Sequence, residues 1–285
     1  MSALLEEGMK NHQAGNFVDA KKCYEQVLNT EAENFNALQL LAAIHIQTGN
    51  FSEAIPIIKK ALSINQSNPL VFNNQGLALH ALGRFGEAIQ SYDQAIMLQN
   101  NFVDAYCNKG VSLQELSRFD EALNSYQQAI NINSSHVLSH YNRGVLLQKL
   151  GNSADALVEY DAVISFDPNY WPAYSNRGII LRELGRIQES IDSFKSAIAL
   201  KNDYIEAYYN LGITLQVVQL HEDSLMCYEQ ALALNQDYAE AWTNRGIVLM
   251  SLNRMKEAKL SLENALRIKP DLKEAQTNYS KVMAE

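Results

Sequence analysis

The sequence has 285 residues, of which 47% are hydrophobic, and it carries a formal net charge of −9 at pH 7. This composition supports a buried core and excludes a disordered chain. The acidic balance excludes a nucleic-acid-binding or anionic-membrane surface, because such surfaces need clustered Lys and Arg. The longest mainly apolar run, ALQLLAAIHI, is too short to span a bilayer.

The N-terminal segment MSALLEEGMK is acidic and lacks both a continuous apolar core and a cleavage site, so we expect no secretory signal. Cys23, Cys107 and Cys227 lie far apart, show no CxxC spacing and have no nearby histidine pair. We therefore expect reduced thiols, no metal and no cofactor. The predicted location is the cytoplasm.

A period of thirty-four residues organises the chain, and NRGVLLQKLG from Asn142 returns as NRGIILRELG from Asn176. Cutting every thirty-four residues from Met1 gives eight blocks without insertions, and twelve of the thirteen glycines then fall at block positions 8 and 15. The predicted repeats are 1–34, 35–68, 69–102, 103–136, 137–170, 171–204, 205–238 and 239–272. The remaining segment, 273–285, keeps the register but is polar, and we expect it to form a C-terminal capping helix.

Each block predicts two helices. A glycine at position 8 lies inside an apolar-periodic segment, where it costs helix propensity, so we expect a close approach of another helix there. Position 15 suits the left-handed residue of a helix C-cap. Position 19 is always acidic, which favours the N-terminus of a second helix, and this helix carries a small residue at position 20 and usually an aromatic one at position 24.

This pattern, with Pro at position 32 of some blocks, resembles the tetratricopeptide repeat, or TPR. The resemblance covers residues 1–272 and implies an all-α fold: a right-handed α-solenoid of eight helix-turn-helix repeats, plus the capping helix, whose first helices line a concave groove. Position 7, which is Leu in the usual pattern, is Arg or Lys in several blocks. This departure leaves the surface around position 7 undetermined.

Positions 2, 5, 6, 9, 12 and 13 of the first helix share one stripe, which we take as the groove. Position 6 is asparagine in six consecutive blocks, and primary amides can pair with the N–H and C=O groups of an extended peptide. Alternatively, these amides join neighbouring helices. The predicted peptide-binding residues are Asn74, Asn108, Asn142, Asn176, Asn210 and Asn244, together with Tyr141, Tyr209, Glu206 and Glu240.

Acidic residues at position 2 predict a partner segment in which Lys or Arg stands beside apolar residues. The apolar row at position 9 either adds to this contact surface or packs between successive helices. Positions 2, 5 and 6 hold no Lys or Arg in any block, which excludes the two-carboxylate clamp of chaperone adaptors.

The sequence shows no nucleophile with its base and no phosphate loop, so we expect no enzyme activity. The first hypothesis is a protein-interaction scaffold that binds an extended peptide or protein segment in the groove. The second is a substrate-recruiting arm, since the asparagine row is similar to the repeat superhelix of O-linked N-acetylglucosamine transferases, whose catalytic domain this chain lacks. Self-association is a third possibility. The identity of the partner stays open.

Overall fold

The computed structural model describes residues 3–284, which form seventeen α-helices and no strand. The predicted all-α class is confirmed. Residues 1, 2 and 285, which the predicted repeats and cap include, lie outside the described residues. The helices are α1 (Ala3–Gln13), α2 (Phe17–Thr30), α3 (Phe35–Gln47), α4 (Phe51–Ile64), α5 (Pro69–Ala81), α6 (Phe85–Leu98), α7 (Val103–Glu115), α8 (Phe119–Ile132), α9 (Val137–Lys149), α10 (Ser153–Phe166), α11 (Trp171–Glu183), α12 (Ile187–Leu200), α13 (Ile205–Val217), α14 (His221–Leu234), α15 (Ala239–Ser251), α16 (Met255–Ile268) and α17 (Lys273–Ala284).

The chain divides into two compact units, Met1–Leu146 and Leu147–Glu285. In the first unit, α1, α3, α5 and α7 each pack on the helix that follows, and they also contact one another in that order. In the second unit, α11, α13, α15 and α17 form the same kind of row. Within each unit, second helices of successive described pairs do not pack on one another. We call the surface formed by the row of first helices the inner face of each unit.

The turn between the two helices of a pair contains one residue with positive φ, as predicted for block position 15. Glycine takes this conformation at Gly15, Gly49, Gly83, Gly151 and Gly185, with φ between 73° and 79°. The next amide then bonds back to the first helix, as where Arg84 N donates to Leu79 O at 2.9 Å. This is the 6→1 bond of a Schellman C-cap, and it fixes the reversal of the chain.

The glycines at block position 8 make room for the side chain at position 24 of the same pair, which is an aromatic ring in every described case except Gly246, where it is Leu262. A Cβ atom on Gly110 would lie 2.5 Å from Tyr126 Cε1, and one on Gly212 would lie 2.7 Å from Tyr228 Cε1. The expected close approach is therefore confirmed, and the neighbour is a buried ring rather than a helix backbone.

The small residues at position 20 are fully buried between the two helices of a pair. Six of them are alanine. The two serines satisfy their hydroxyls locally, since Ser190 Oγ donates to Gly178 O at 2.7 Å and Ser224 Oγ to Gly212 O at 2.8 Å. Neither serine leaves an unpaired polar group in the core.

The last helix, α17, packs on α15 and α16. Its Ala275 is fully buried, and Tyr279 and Val282 cover the cluster around Leu262. The outward side of α17 is polar, in keeping with a terminal helix. The division into eight thirty-four-residue repeats and a cap at 273–285 stays a prediction.

Candidate functional site

The predicted asparagine row lies on the first helices of successive pairs, and all six side chains are half-buried. The first unit holds Asn74, Asn108 and Asn142, and the second holds Asn176, Asn210 and Asn244. Tyr141, Tyr209 and Glu240 are also half-buried, whereas Glu206 is exposed. Each of these residues lies on the first helix of its pair. Their role in binding a peptide stays a prediction.

Three of these amides join adjacent first helices. Asn108 Nδ2 donates to Asn73 Oδ1 at 3.2 Å, Asn142 Nδ2 contacts Cys107 Sγ at 3.6 Å, and Asn244 Nδ2 donates to Tyr209 OH at 3.1 Å. Each bond runs from position 6 of one pair to position 5 of the preceding pair. The helix-joining interaction that we held as an alternative is thus present in both units.

The hydrogen bond between helices uses one of the two N–H donors of each amide and leaves its carbonyl oxygen without a partner. Asn108, Asn142 and Asn244 make no other hydrogen bond among residues 3–284. An amide carries two donors and an acceptor with two lone pairs, so one bond to a neighbouring helix does not exhaust it. Joining helices and contacting a peptide are therefore compatible for the same side chain.

Asn210 departs from this pattern because of an arginine that we did not predict. Its Nδ2 donates within its own helix to Glu206 O at 2.9 Å, while its Oδ1 accepts from Arg182 Nη1 at 3.3 Å. The same Nη1 lies 3.2 Å from Asn210 O and 3.4 Å from Thr214 Oγ1. Arg182 on α11 thus reaches across to α13 in the second unit.

Three bases at block position 7 form ion pairs with carboxylates on the preceding second helix. Arg177 pairs with Asp161 at 2.6 Å, Arg245 with Glu229 at 2.9 Å, and Lys109 with Asp93 at 2.6 Å. Each carboxylate lies on the preceding second helix, sixteen residues earlier. Because these bases link neighbouring helices, the departure from leucine at position 7 is structural.

Aromatic and acidic side chains gather on the inner face near the start of α13 and α15. The rings of Tyr209 and Tyr238 have centroids 4.8 Å apart. Burial, together with the carboxylates of Glu240 and Glu274, raises the pKa of Tyr209. A backbone N–H at the start of α15 keeps the pKa of Glu240 below its usual value, and Lys269, 3.1 Å from this carboxylate, contributes. The carboxylate of Glu206 is exposed beside them.

Three further findings concern chemistry that the chain could carry. Among residues 3–284, no three His, Cys, Asp or Glu side chains stand close enough to hold a metal ion. All three cysteines are free thiols. None of the described helices is long and apolar enough to cross a membrane.

Comparison with protein families gives matches over most of the chain. The family described as TPR repeat matches residues 76–117, 112–151 and 178–216. Two families described as tetratricopeptide repeat match residues 12–73, and residues 138–170 and 239–272. Among curated proteins, no sequence relative matches this chain.

Solved structures of repeat proteins share the fold. The C-terminal part of a TPR repeat-containing protein from Cytophaga hutchinsonii superposes with a TM-score of 0.68 at 16% identity, over 83% of this chain and 97% of that one. A chain of the APC/C hetero-tetramer Cut9–Hcn1 gives 0.65 at 16% identity over 94% of this chain, which spans only 52% of that one. YrrB, described as a TPR protein with an unusual peptide-binding site, gives 0.55 at 22% identity over 65% and 95%.

Proposed function

Since this chain belongs to the tetratricopeptide repeat family, we propose that it is a non-catalytic scaffold that binds an extended protein segment on the inner face of a unit. The observation that carries the proposal is the asparagine row. In Asn108, Asn142 and Asn244 the half-buried amides keep a donor and an acceptor after joining the helices. Such groups can pair with the backbone of an extended segment whatever its side chains are.

The second unit favours a segment with basic and apolar residues. Glu206, Glu240 and Glu274 bring negative charge to the inner face, and the rings of Tyr209 and Tyr238 stand beside them. A Lys or Arg side chain gains from both, since carboxylates attract its charge and aromatic faces attract cations. YrrB is a relative in fold for which a peptide-binding site is described.

The other hypotheses remain predictions. Nothing in the site favours a glycosyltransferase arm or self-association over a peptide-binding scaffold. A cytoplasmic location is supported by the three free thiols, because unpaired cysteines are typical of reducing compartments.

The test separates the two roles of an asparagine in the row. A library of random twelve-residue peptides displayed on phage is selected on the wild-type chain, and the affinities of enriched peptides are measured by fluorescence anisotropy. Asn108→Ala removes the hydrogen bond to Asn73 on the neighbouring helix. It also removes the N–H donor and the carbonyl acceptor that remain available to a peptide. Asn73→Ala is the matched control, because it removes only the acceptor that Asn108 uses for the joint.

We expect the two variants to melt at similarly lowered temperatures, while only Asn108→Ala weakens peptide binding, by about tenfold for one or two lost hydrogen bonds. A third variant, Asn124→Ala on an exposed position of α8, should change neither property. Equal loss of binding in Asn108→Ala and Asn73→Ala would make the row purely structural. A library that yields no enriched peptide would contradict the proposed function itself.

A further inference from the structure

Arg182 forms no ion pair among the described residues, and the carboxylate of Glu183 acts on its charge only at longer range. It is half-buried on α11, and its Nη1 meets only neutral oxygens of Asn210 and Thr214 at 3.2 to 3.4 Å. No carboxylate among residues 3–284 lies within 4.0 Å of its guanidinium. These contacts are long for hydrogen bonds from a charged donor, which are usually about 2.7–2.9 Å.

Other arginines of the chain show what Arg182 lacks. Four arginines at the start of second helices donate to the two carboxylate oxygens of a glutamate from Nε and Nη2, with N···O distances of 2.6 to 2.8 Å. They are Arg84, Arg118, Arg186 and Arg254. The partly buried Arg177 and Arg245 also hold carboxylates. In Arg182, Nε and Nη2 have no acceptor in the described residues. In Arg186 the same two atoms donate to Glu189.

Block position 12 does not require a cation. In three other pairs it is a glutamine that accepts from the tyrosine at position 24: Gln114 from Tyr126, Gln148 from Tyr160 and Gln216 from Tyr228. In the pair of Arg182, the ring at position 24 is Phe194, which has no hydroxyl. The phenylalanine frees position 12 from this bond, and the side chain extends instead to the neighbouring inner-face helix.

Keeping a charge in such a place costs stability. Burial lowers the pKa of the Arg182 guanidinium, yet arginine stays protonated in proteins. A partly desolvated charge is normally paired, because the loss of hydration is otherwise uncompensated. A carboxylate supplied by a bound partner would compensate for this lost hydration.

We propose that Arg182 binds the side-chain carboxylate of an Asp or Glu in the segment that occupies the inner face of the second unit. This inference rests on the proposed function and adds an acidic residue to a segment that we expect to be basic and apolar near Glu206 and Tyr209. The planar fork of Nε and Nη2 takes the two carboxylate oxygens in the geometry that Arg186 uses for Glu189. The Asn210 amide, one helical turn from Glu206, lies between the two charged regions.

The experiment selects the phage-displayed twelve-residue library on the wild-type chain, on Arg182→Gln and on Arg182→Lys. The glutamine variant carries the residue that three other pairs have at position 12, and the lysine variant keeps the charge without the fork. Enriched peptides are then synthesised with amidated C-termini and with their acidic residue changed to the amide. Melting temperatures are measured for all three proteins.

We expect wild-type selections to fix one Asp or Glu, and its change to Asn or Gln to weaken binding at least tenfold to the wild type but not to Arg182→Gln. Arg182→Gln should melt at the same temperature as the wild type or higher, and Arg182→Lys should bind with intermediate affinity. The inference is overturned if peptides without a fixed acidic residue bind both proteins equally, a result that leaves groove binding intact. Binding that disappears on amidation of the C-terminus, or an Arg182→Gln protein that melts several degrees lower and loses every peptide, also overturns it.

Discussion

At the scale of single residues, the glycines at block position 8 set the distance between the two helices of a pair. In Gly110→Ala the new Cβ would lie 2.5 Å from Tyr126 Cε1, and the ring is fully buried and cannot withdraw. We expect the free energy of unfolding to fall by about 1–3 kcal/mol, the usual cost of overpacking a core. Urea unfolding followed by circular dichroism measures the change.

Gly86→Ala is the control for this prediction. Gly86 is the one glycine outside the two repeated positions; its φ is not positive, and nothing lies within 4 Å of an added Cβ. It lies in the first turn of α6, where alanine is the better helix former, so stability should be unchanged or rise by up to about 1 kcal/mol. A loss in Gly86→Ala as large as that in Gly110→Ala would show that the clash with the ring is not the cause.

Three turns place a residue other than glycine in the left-handed conformation. We expect glycine at these positions to increase the stability of the protein. Gln219 has φ of 58°, where an L residue with a Cβ is strained. Gln219→Gly should raise the free energy of unfolding by about 0.5–1 kcal/mol, because relief of strain exceeds the added chain entropy of glycine. Asn253→Gly, with φ of 59°, should gain less, since asparagine tolerates this conformation. Thermal melts of both variants test the ranking, and a lower melting temperature for Gln219→Gly would contradict it.

At the scale of helices, Arg177 and Arg245 at block position 7 each link three helices. Arg245 on α15 pairs with Glu229 on α14 and donates to Ser261 Oγ on α16 at 2.6 Å, and only 16% of its side chain is exposed. Arg245→Met keeps the aliphatic length but removes these bonds. We expect the free energy of unfolding to fall by about 1–2 kcal/mol, because Glu229 and Ser261 lose a charged partner.

Arg84→Met is the matched variant for this comparison. Arg84 makes a bidentate bond with Glu87, but both side chains are exposed and belong to one helix start. Pairs of this kind contribute little in water, so its melting temperature should be unchanged. Equal losses in the two variants would mean that the exposed pair contributes as much as the one linking three helices.

The sequence predicted the helix pairs and their turns well because their causes are local. A glycine at position 8 and an aromatic residue at position 24 lie in one block, so the period alone brings them together. The partners of Arg177 and Arg245 lie on the preceding second helix, in another block, so the pattern within one block does not indicate them. A signal was present, since Lys109, Arg177 and Arg245 each follow an acidic residue by sixteen positions.

Arg182 stands at block position 12, on the predicted stripe, but its contacts could not be predicted in this way. Its contacts depend on Phe194 lacking a hydroxyl and on the reach of a side chain to the next first helix, and no other pair repeats this combination. For the asparagines at position 6, the sequence left open whether they contact a peptide or join neighbouring helices. The structure shows that three of them bond to a side chain at position 5 of the preceding pair. Which amides contact a ligand depends on a partner that is not part of this chain, so the site remains a proposal.

At the scale of the whole chain, each helix pair contacts mainly its neighbours, so damage at one end should stay near that end. Removing residues 273–285 would uncover Leu262 and Ala265, which are fully buried beneath α17. We expect a loss of roughly 2–4 kcal/mol in the stability of that end, the size expected for exposing one or two large apolar side chains. Hydrogen exchange should show faster exchange in α15 and α16, while α1 to α8 keep their protection.

The control is Met283→Ala in the intact chain: Met283 is exposed, so this change should leave the exchange rates unaltered. Uniform loss of protection from α1 to α16 would instead mean that the whole chain unfolds as one cooperative body.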